Sequence, residues 1–277
     1  MIVYTQLNAR RTPDARVDEI SRESVHYHLS IPSGKADKYR LAQLDDYAQF
    51  SRGRFPHRPS LRLSLLARAS SDSIAGTWGF GLWNDPFGLS LGLGGSPWRL
   101  PALPNAAWFF GASEENYLSF QESGRGPLAP TNAANGFIAQ TFRAPKFHPL
   151  LILAGLAFPF SRKMTRRLLS RVIAEDGVQL WNYKDRDSSA TSKLVDSRSV
   201  DPTQWHRYRL EWSLKRASFE VDEVQVFESL VSPNPPLGLV IWIDNQFAAF
   251  TPEGKIGFGV LANPERAWLE VKEIELE

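Results

Sequence analysis

The chain has 277 residues, a length suited to one large all-β domain, so two domains are not needed. Its 32 lysines and arginines stand against 30 aspartates and glutamates, which is no electrostatic footprint for nucleic acid. It has no cysteine, which excludes disulfides and thiolate metal sites.

The amino terminus has a three-residue apolar start followed by charge and no signal-peptide core, so a cytoplasmic location is expected. Residues 8 to 22 are polar and charged and read as a surface arm. Val25, Tyr27, Leu29 and Ile31 then alternate with His26, His28 and Ser30 as a first strand. His26 and His28 point the same way, but no carboxylate or third histidine stands at ligand spacing. His57, His148 and His206 are scattered, so neither a metal nor a cofactor is expected.

Leu61 to Asp85 reads as a pair of strands. In the second, Trp78, Phe80 and Leu82 form a bulky core face, and Gly79, Gly81, Trp83 and Asp85 form the other. Glycines within a strand mark either close approach by a ligand or backbone, or a bulge or tight packing. A glycine- and proline-rich loop follows. Residues 106–113 and 116–122 read as the next two strands, and Phe137 to Phe142 alternate as another.

From about 148 to 176 the pattern changes to a helical insertion. An apolar run is followed by Phe160, Met164, Leu168 and Val172 at helical spacing, with Arg162, Lys163, Arg166, Arg167 and Arg171 on the polar side. The apolar run is too short to span a bilayer. Three roles stay open: a cover over an open sheet face, a homodimer contact, or contact with an anionic membrane surface. Gln179, Trp181 and Tyr183 then share one face of a strand, and Val240, Trp242 and Asp244 share one face of a later strand.

The most informative stretch is Trp205 to Glu228, WHRYRLEWSLKRASFEVDEVQVFE. Tyr208, Leu210 and Trp212 alternate with Arg207, Arg209 and Glu211, Phe219 and Val221 repeat the pattern, and a turn at Asp222 and Glu223 sends the chain back through Val224 and Val226. This stretch resembles the concanavalin A-like lectin/glucanase superfamily, in particular the family 16 glycoside hydrolases, where a WHxYxxxW…FxVDGxxV segment crosses the sandwich. Trp205, His206, Tyr208, Trp212, Phe219, Val221, Asp222 and Val226 stand at matching positions, and Glu223 replaces the usual turn glycine. The similarity extends more weakly to residues 61–85, to LVIWIDN and to the closing KIGFGVLANPERAWLEVKEIELE.

The resemblance implies an all-β, antiparallel concanavalin A-like jelly-roll sandwich, and with the elements read above the expected fold has about twelve to fifteen strands and one helical insertion. It also implies where hydrolase machinery would sit: the strand after the Trp-rich one carries the family's paired carboxylates on one face. Here that strand is Ala106 to Gly111, AAWFFG, without an acid. The acids of Glu220-Val221-Asp222-Glu223 belong to a hairpin and are not expected to substitute.

The expected function is therefore binding of a glycan or another small ligand on the concave sheet by Trp83, Asp85, Trp181, Tyr183, Trp242 and Asp244. Aromatic rings there would take the apolar face of a sugar, and amides and carboxylates its hydroxyls. An enzyme using a nonstandard carboxylate pair in the same groove, drawn from Asp85, Glu114, Glu115, Glu122 and Asp244, is the alternative. A membrane-surface or protein-interaction module built on the basic insertion is a third.

Overall fold

The computed structural model describes residues 2–3, 7–21, 25–86, 99, 102–120, 135–146, 148–181 and 199–277. These residues form seventeen strands, numbered in chain order, two α-helices and one turn of 3-10 helix at Arg52–Arg54. One sheet has eight strands. Its path runs β13 (Val224–Ser229), β12 (Ala217–Val221), β11 (His206–Trp212), β6 (Leu61–Ala69), β17 (Ala267–Leu276), β4 (His26–Ile31) and β3 (Arg16–Ser21), with β1 (Ile2–Val3) also on β17. The second has seven, in the order β10 (Ala174–Trp181), β9 (Gly136–Arg143), β8 (Ala106–Ala112), β7 (Thr77–Trp83), β14 (Gly238–Asp244), β5 (Leu41–Asp45) and β2 (Asn8–Arg11). A separate hairpin joins β15 (Gln246–Phe250) to β16 (Ile256–Val260). Neighbours pair antiparallel throughout, so the protein is an antiparallel β-sandwich, as expected from the sequence.

Period-2 alternation explains the layering, because it gives each strand one face for the partner sheet. Tyr208, Leu210 and Trp212 of β11 and Phe219 and Val221 of β12 meet Trp78, Phe80 and Leu82 of β7, Phe109 of β8, and Leu239, Ile241 and Ile243 of β14 in one inter-sheet core. The rings interlock edge to face: Phe109 lies 4.9 Å from Tyr208 and 5.2 Å from Phe219. The β12–β13 turn has φ of 49° at Asp222 and 66° at Glu223, the left-handed pair that a two-residue turn needs to match strand twist. Asp222 holds this turn from its side chain: its Oδ1 accepts from the Arg207 amide at 2.8 Å, and His206 Nδ1 lies 2.6 Å from its Oδ2. Glu220 pairs with Arg209 at 2.7 Å on the same sheet, so the acids of this hairpin lie in the sheet opposite β8.

The helical insertion consists of α1 (Pro149–Ala157) and α2 (Arg162–Val172). His148 caps α1 by accepting from the Leu150 amide, and Ser161 caps α2 by accepting from the Met164 amide. The insertion ends earlier than its sequence pattern suggests, since β10 begins at Ala174.

Three expectations are corrected. Residues 8 to 21 are not the surface arm expected: β2 and β3 are edge strands, one in each sheet, where exposure on both faces removes the apolar alternation that marks a strand, and residue 22 lies outside the described residues. Residues 116–120 form no strand beyond one bridge from Tyr117 to Ala249, and 121–122 lie outside the described residues. The strand count exceeds fifteen because of these short edge pieces and β1.

Candidate functional site

The outer face of the seven-stranded sheet is built from the residues that alternate with the core. From β7, β8, β9, β14 and β5 it receives Trp83, Trp108, Phe110, Ile138, Gln140, Phe142, Trp242 and Gln43, which form a second cluster of largely apolar side chains. Trp83 stacks on Trp242 with centroids 5.9 Å apart and planes 6° from parallel, and Trp108 is tilted against both at 6.1 and 5.9 Å. Gly79 and Gly81 explain how the indoles lie so low. A Cβ at Gly79 would stand 2.4 Å from the Phe109 carbonyl and 3.0 Å from the Trp242 ring, and one at Gly81 would meet Ala107 O at 2.4 Å and Trp108 Cβ at 2.7 Å. The glycines thus make room for neighbouring backbone and indoles of the chain itself.

Each indole N–H on this face is donated. Trp83 Nε1 gives to Tyr47 Oη at 2.7 Å, Trp108 Nε1 to Gln140 Oε1 at 3.3 Å, and Trp242 Nε1 to Thr77 Oγ1 at 3.0 Å. Gln43 Nε2 donates to Tyr47 Oη and to Asp45 Oδ2, and Gln140 Nε2 donates to Glu175 Oε1 at 3.0 Å. Burial raises the carboxyls of Asp45 and Glu175 and the Tyr47 phenol above their ordinary ranges. Asp244 accepts from Thr77 Oγ1 at 2.7 Å, the Gln246 amide at 3.2 Å and Tyr39 Oη at 3.2 Å, yet burial pushes it up to about 6.

The face is closed over. Trp83, Trp108, Phe110 and Trp242 are each at least nine-tenths buried. Among the described residues the cover is contributed by Leu118, Phe120 and Leu169 together with Tyr39, Phe50, Phe55 and Leu103. Arg166 fastens α2 beside it by donating to Ser119 O at 2.8 Å and Phe250 O at 2.9 Å. Arg166 is therefore buried and does not belong to the exposed basic side where its spacing put it.

Of the six residues expected to bind ligand, five are described, and these are not all brought together. Trp83, Trp242 and Asp244 share the outer face. Asp85, at a φ of 50°, stands just past β7, where its Oδ2 accepts from Arg99 Nη1 at 2.8 Å; the buried guanidinium also donates to the carbonyls of Tyr47, Ala48 and Phe50. Trp181 is on the other side of the sheet. A register shift between Gln179 and Trp181 sets Gln179 opposite Ile138 but Trp181 opposite Phe137, and the Trp181 ring packs on the inter-sheet core. Tyr183 lies outside the described residues.

No protein-family model matches the chain, and no curated protein sequence matches it. Solved structures do. A Bacillus licheniformis β-glucanase is 9% identical, with a TM-score of 0.44, and the alignment covers 98% of this chain and 91% of that one. A sialidase is 8% identical with a TM-score of 0.43, and the binding domain of botulinum neurotoxin DC is 5% identical with a TM-score of 0.41. This chain covers 17% and 42% of those two chains, while 98% of its own length is aligned in each. At such identities, and with TM-scores below 0.5, these likenesses carry no information about ligand or reaction.

The chemistry open to the face follows from its carboxylates. Asp45, Asp244 and Glu175 do not face one another. Asp244 and Glu175 are four strands apart and at opposite strand ends, since Asp244 aligns with Thr77 and Ala112 and Glu175 with Phe142 and Ala106. With strands ~4.8 Å apart and ~3.4 Å per residue, the separation is roughly 28 Å, against about 5–10 Å for a glycosidase pair. Of the other candidates, Glu114 and Glu115 are exposed on a turn, and Glu122 lies outside the described residues. Among the described residues, no group of three histidines or acids could hold a metal ion. Sequence reasoning missed Gln43, Tyr47, Trp108, Gln140 and Glu175. The available signal was the alternation in β8 and β9, which puts Trp108 opposite Gln140.

Proposed function

We propose that the outer face of the seven-stranded sheet is a non-catalytic binding face for a carbohydrate or a small molecule of similar shape. The observation behind this reading is the combination of three indoles, Trp83, Trp108 and Trp242, with Gln43, Tyr47, Gln140 and Glu175 in one layer outside the inter-sheet core. Indole faces suit the C–H patch of a pyranose, and the amides and carboxyl suit its hydroxyls. Because the rings are covered, a ligand enters by displacing the segment around Leu118 and Phe120 or the turn around Phe50 and Phe55. Binding is then slow, since association that waits on a conformational change falls below the usual ~10⁵–10⁷ M⁻¹s⁻¹ for docking without one. No observation favours an enzyme built on a nonstandard carboxylate pair.

The test is calorimetric titration with a panel of soluble oligosaccharides, with stopped-flow tryptophan fluorescence for the rate. Saturable heat in the wild type, weakened in folded Trp108→Phe and Trp242→Phe variants, supports the proposal. Absence of binding across the panel, or binding that neither substitution changes, overturns it.

A further inference from the structure

The first helix of the insertion is apolar on every side, Pro-Leu-Leu-Ile-Leu-Ala-Gly-Leu-Ala, and such a helix is ordinarily enclosed by protein or lipid. Here only Ala154 is buried. Ile152, Leu153 and Leu156 face solvent, and the connection to α2 adds Phe158 and Phe160, the latter 90% exposed. Met164, in the first turn of α2, is exposed beside them. The β15–β16 hairpin extends this surface. Its turn glycine, Gly254, packs so closely on α2 that a Cβ there would stand 2.7 Å from the Lys163 amide nitrogen, and β16 offers Ile256 and Phe258, 42% and 61% exposed. Singly exposed apolar residues are ordinary, but this many in one place mark a docking surface.

Charge says what docks there. From Lys146 to Ala174 the chain has six lysines and arginines and no acid. Arg162, Lys163, Arg167 and Arg171 are exposed along α2, and Lys255 is exposed on the hairpin. The nearest acid on the hairpin is Glu253, whose carboxyl is held low by Thr251 and Lys255. A second copy of the chain meeting this patch about a two-fold axis would set these cations against themselves. Among the described residues no helix is long and apolar enough to cross a membrane, and α1, nine residues long, reaches ~14 Å against a hydrocarbon core of ~30 Å.

We infer that the α1–α2 pair and the tip of the β15–β16 hairpin form a docking surface for an anionic lipid bilayer. The apolar residues of α1 and Phe160 enter the headgroup and acyl boundary, and the basic residues of α2 rest on the phosphates and carboxylates of the headgroups. The surface uses none of the residues assigned to the binding face.

The experiment is co-sedimentation of the full chain with vesicles of phosphatidylcholine alone and of phosphatidylcholine with phosphatidylserine, at low and physiological salt. Two variants with only exposed substitutions accompany it, Arg162→Glu/Lys163→Glu/Arg167→Glu and Leu153→Ser/Leu156→Ser/Phe160→Ser, each checked for native β-structure by circular dichroism. The wild type is expected to pellet with phosphatidylserine vesicles and release with salt, and each variant to lose at least about tenfold in partitioning. Failure of the wild type to pellet overturns the inference. So does pelleting that is indifferent to phosphatidylserine or unchanged in both variants. Self-association in the ultracentrifuge that only the apolar variant abolishes, without vesicle binding, also overturns it, in favour of a dimer.

Discussion

Asp244 shows how burial alone sets the behaviour of one side chain. Its carboxyl titrates at about 6 in the fold, against 3.8 for the ordinary group, because its hydrogen bonds only partly offset the loss of water. Between these values the folded chain binds more protons than the unfolded one, so stability falls as pH rises from about 4 to 6 and levels off above. Asp45 and Glu175 act in the same direction, so the slope for the whole protein does not isolate this residue. Asp244→Asn does: the amide oxygen still accepts from Thr77 and Gln246, and the amide nitrogen can donate to Tyr39. Urea unfolding is expected to show the variant gaining about 1–3 kcal/mol on the wild type between pH 4 and pH 7. An unchanged difference across that range would remove the assignment. Gly79→Ala tests packing at the same scale. The added methyl meets the Phe109 carbonyl and the Trp242 ring, and a loss of about 1–3 kcal/mol is expected from the urea midpoint.

At the scale of elements, the β12–β13 hairpin and α2 behave in opposite ways. In the hairpin turn Asp222 and Glu223 both hold positive φ, and Glu223 does so at 66° with a side chain attached. Glu223→Gly removes the left-handed penalty and is expected to raise the urea midpoint by roughly 0.5–1 kcal/mol of stability, less the added freedom of the unfolded chain. The second helix buries Thr165, Leu168 and Val172, and Arg166 ties it by hydrogen bonds to two other segments. Arg166 supplies both hydrogen bonds to Ser119 and Phe250 and lies 5.7 Å over the Tyr117 ring. Arg166→Met is expected to cost about 1.5–3 kcal/mol locally. The readout is faster tryptic cleavage at Arg167 and Arg171 while the near-ultraviolet signal of the core tryptophans stays native. Equal cleavage rates would mean that other contacts hold the helix.

For the whole molecule, the inter-sheet core is what keeps the chain folded and the apolar helical surface is not. Phe219 is fully buried between Phe109 and Phe227, so Phe219→Ala is expected to cost about 3–5 kcal/mol. Phe160→Ser, at the exposed tip, is expected to change stability by no more than about 0.5 kcal/mol. Thermal and urea unfolding of the two variants side by side measure the contrast, and a large loss from Phe160→Ser would mean that the tip packs against the sandwich in solution.

Much of this was legible in the sequence because strand faces are a local property. Alternation through Trp205 to Val226, Trp78 to Leu82 and Leu239 to Ile243 specified which side chains enter the core, since a strand's pleat turns every second residue the same way. It also showed that β8 brings no acid to the outer face. What local pattern cannot register is a change of phase or a partner distant in sequence. One bulged residue before Trp181 moved that ring from the proposed site to the core. The edge strands β2 and β3 exist only because β5 and β4 offer them free backbone to pair with. Burial of the outer-face indoles under residues 39–55 and 117–120, and exposure of an entirely apolar helix, depend on how the connections fold back over the sheet. The tertiary structure alone decides these, because burial belongs to the surroundings of a side chain and not to the side chain itself.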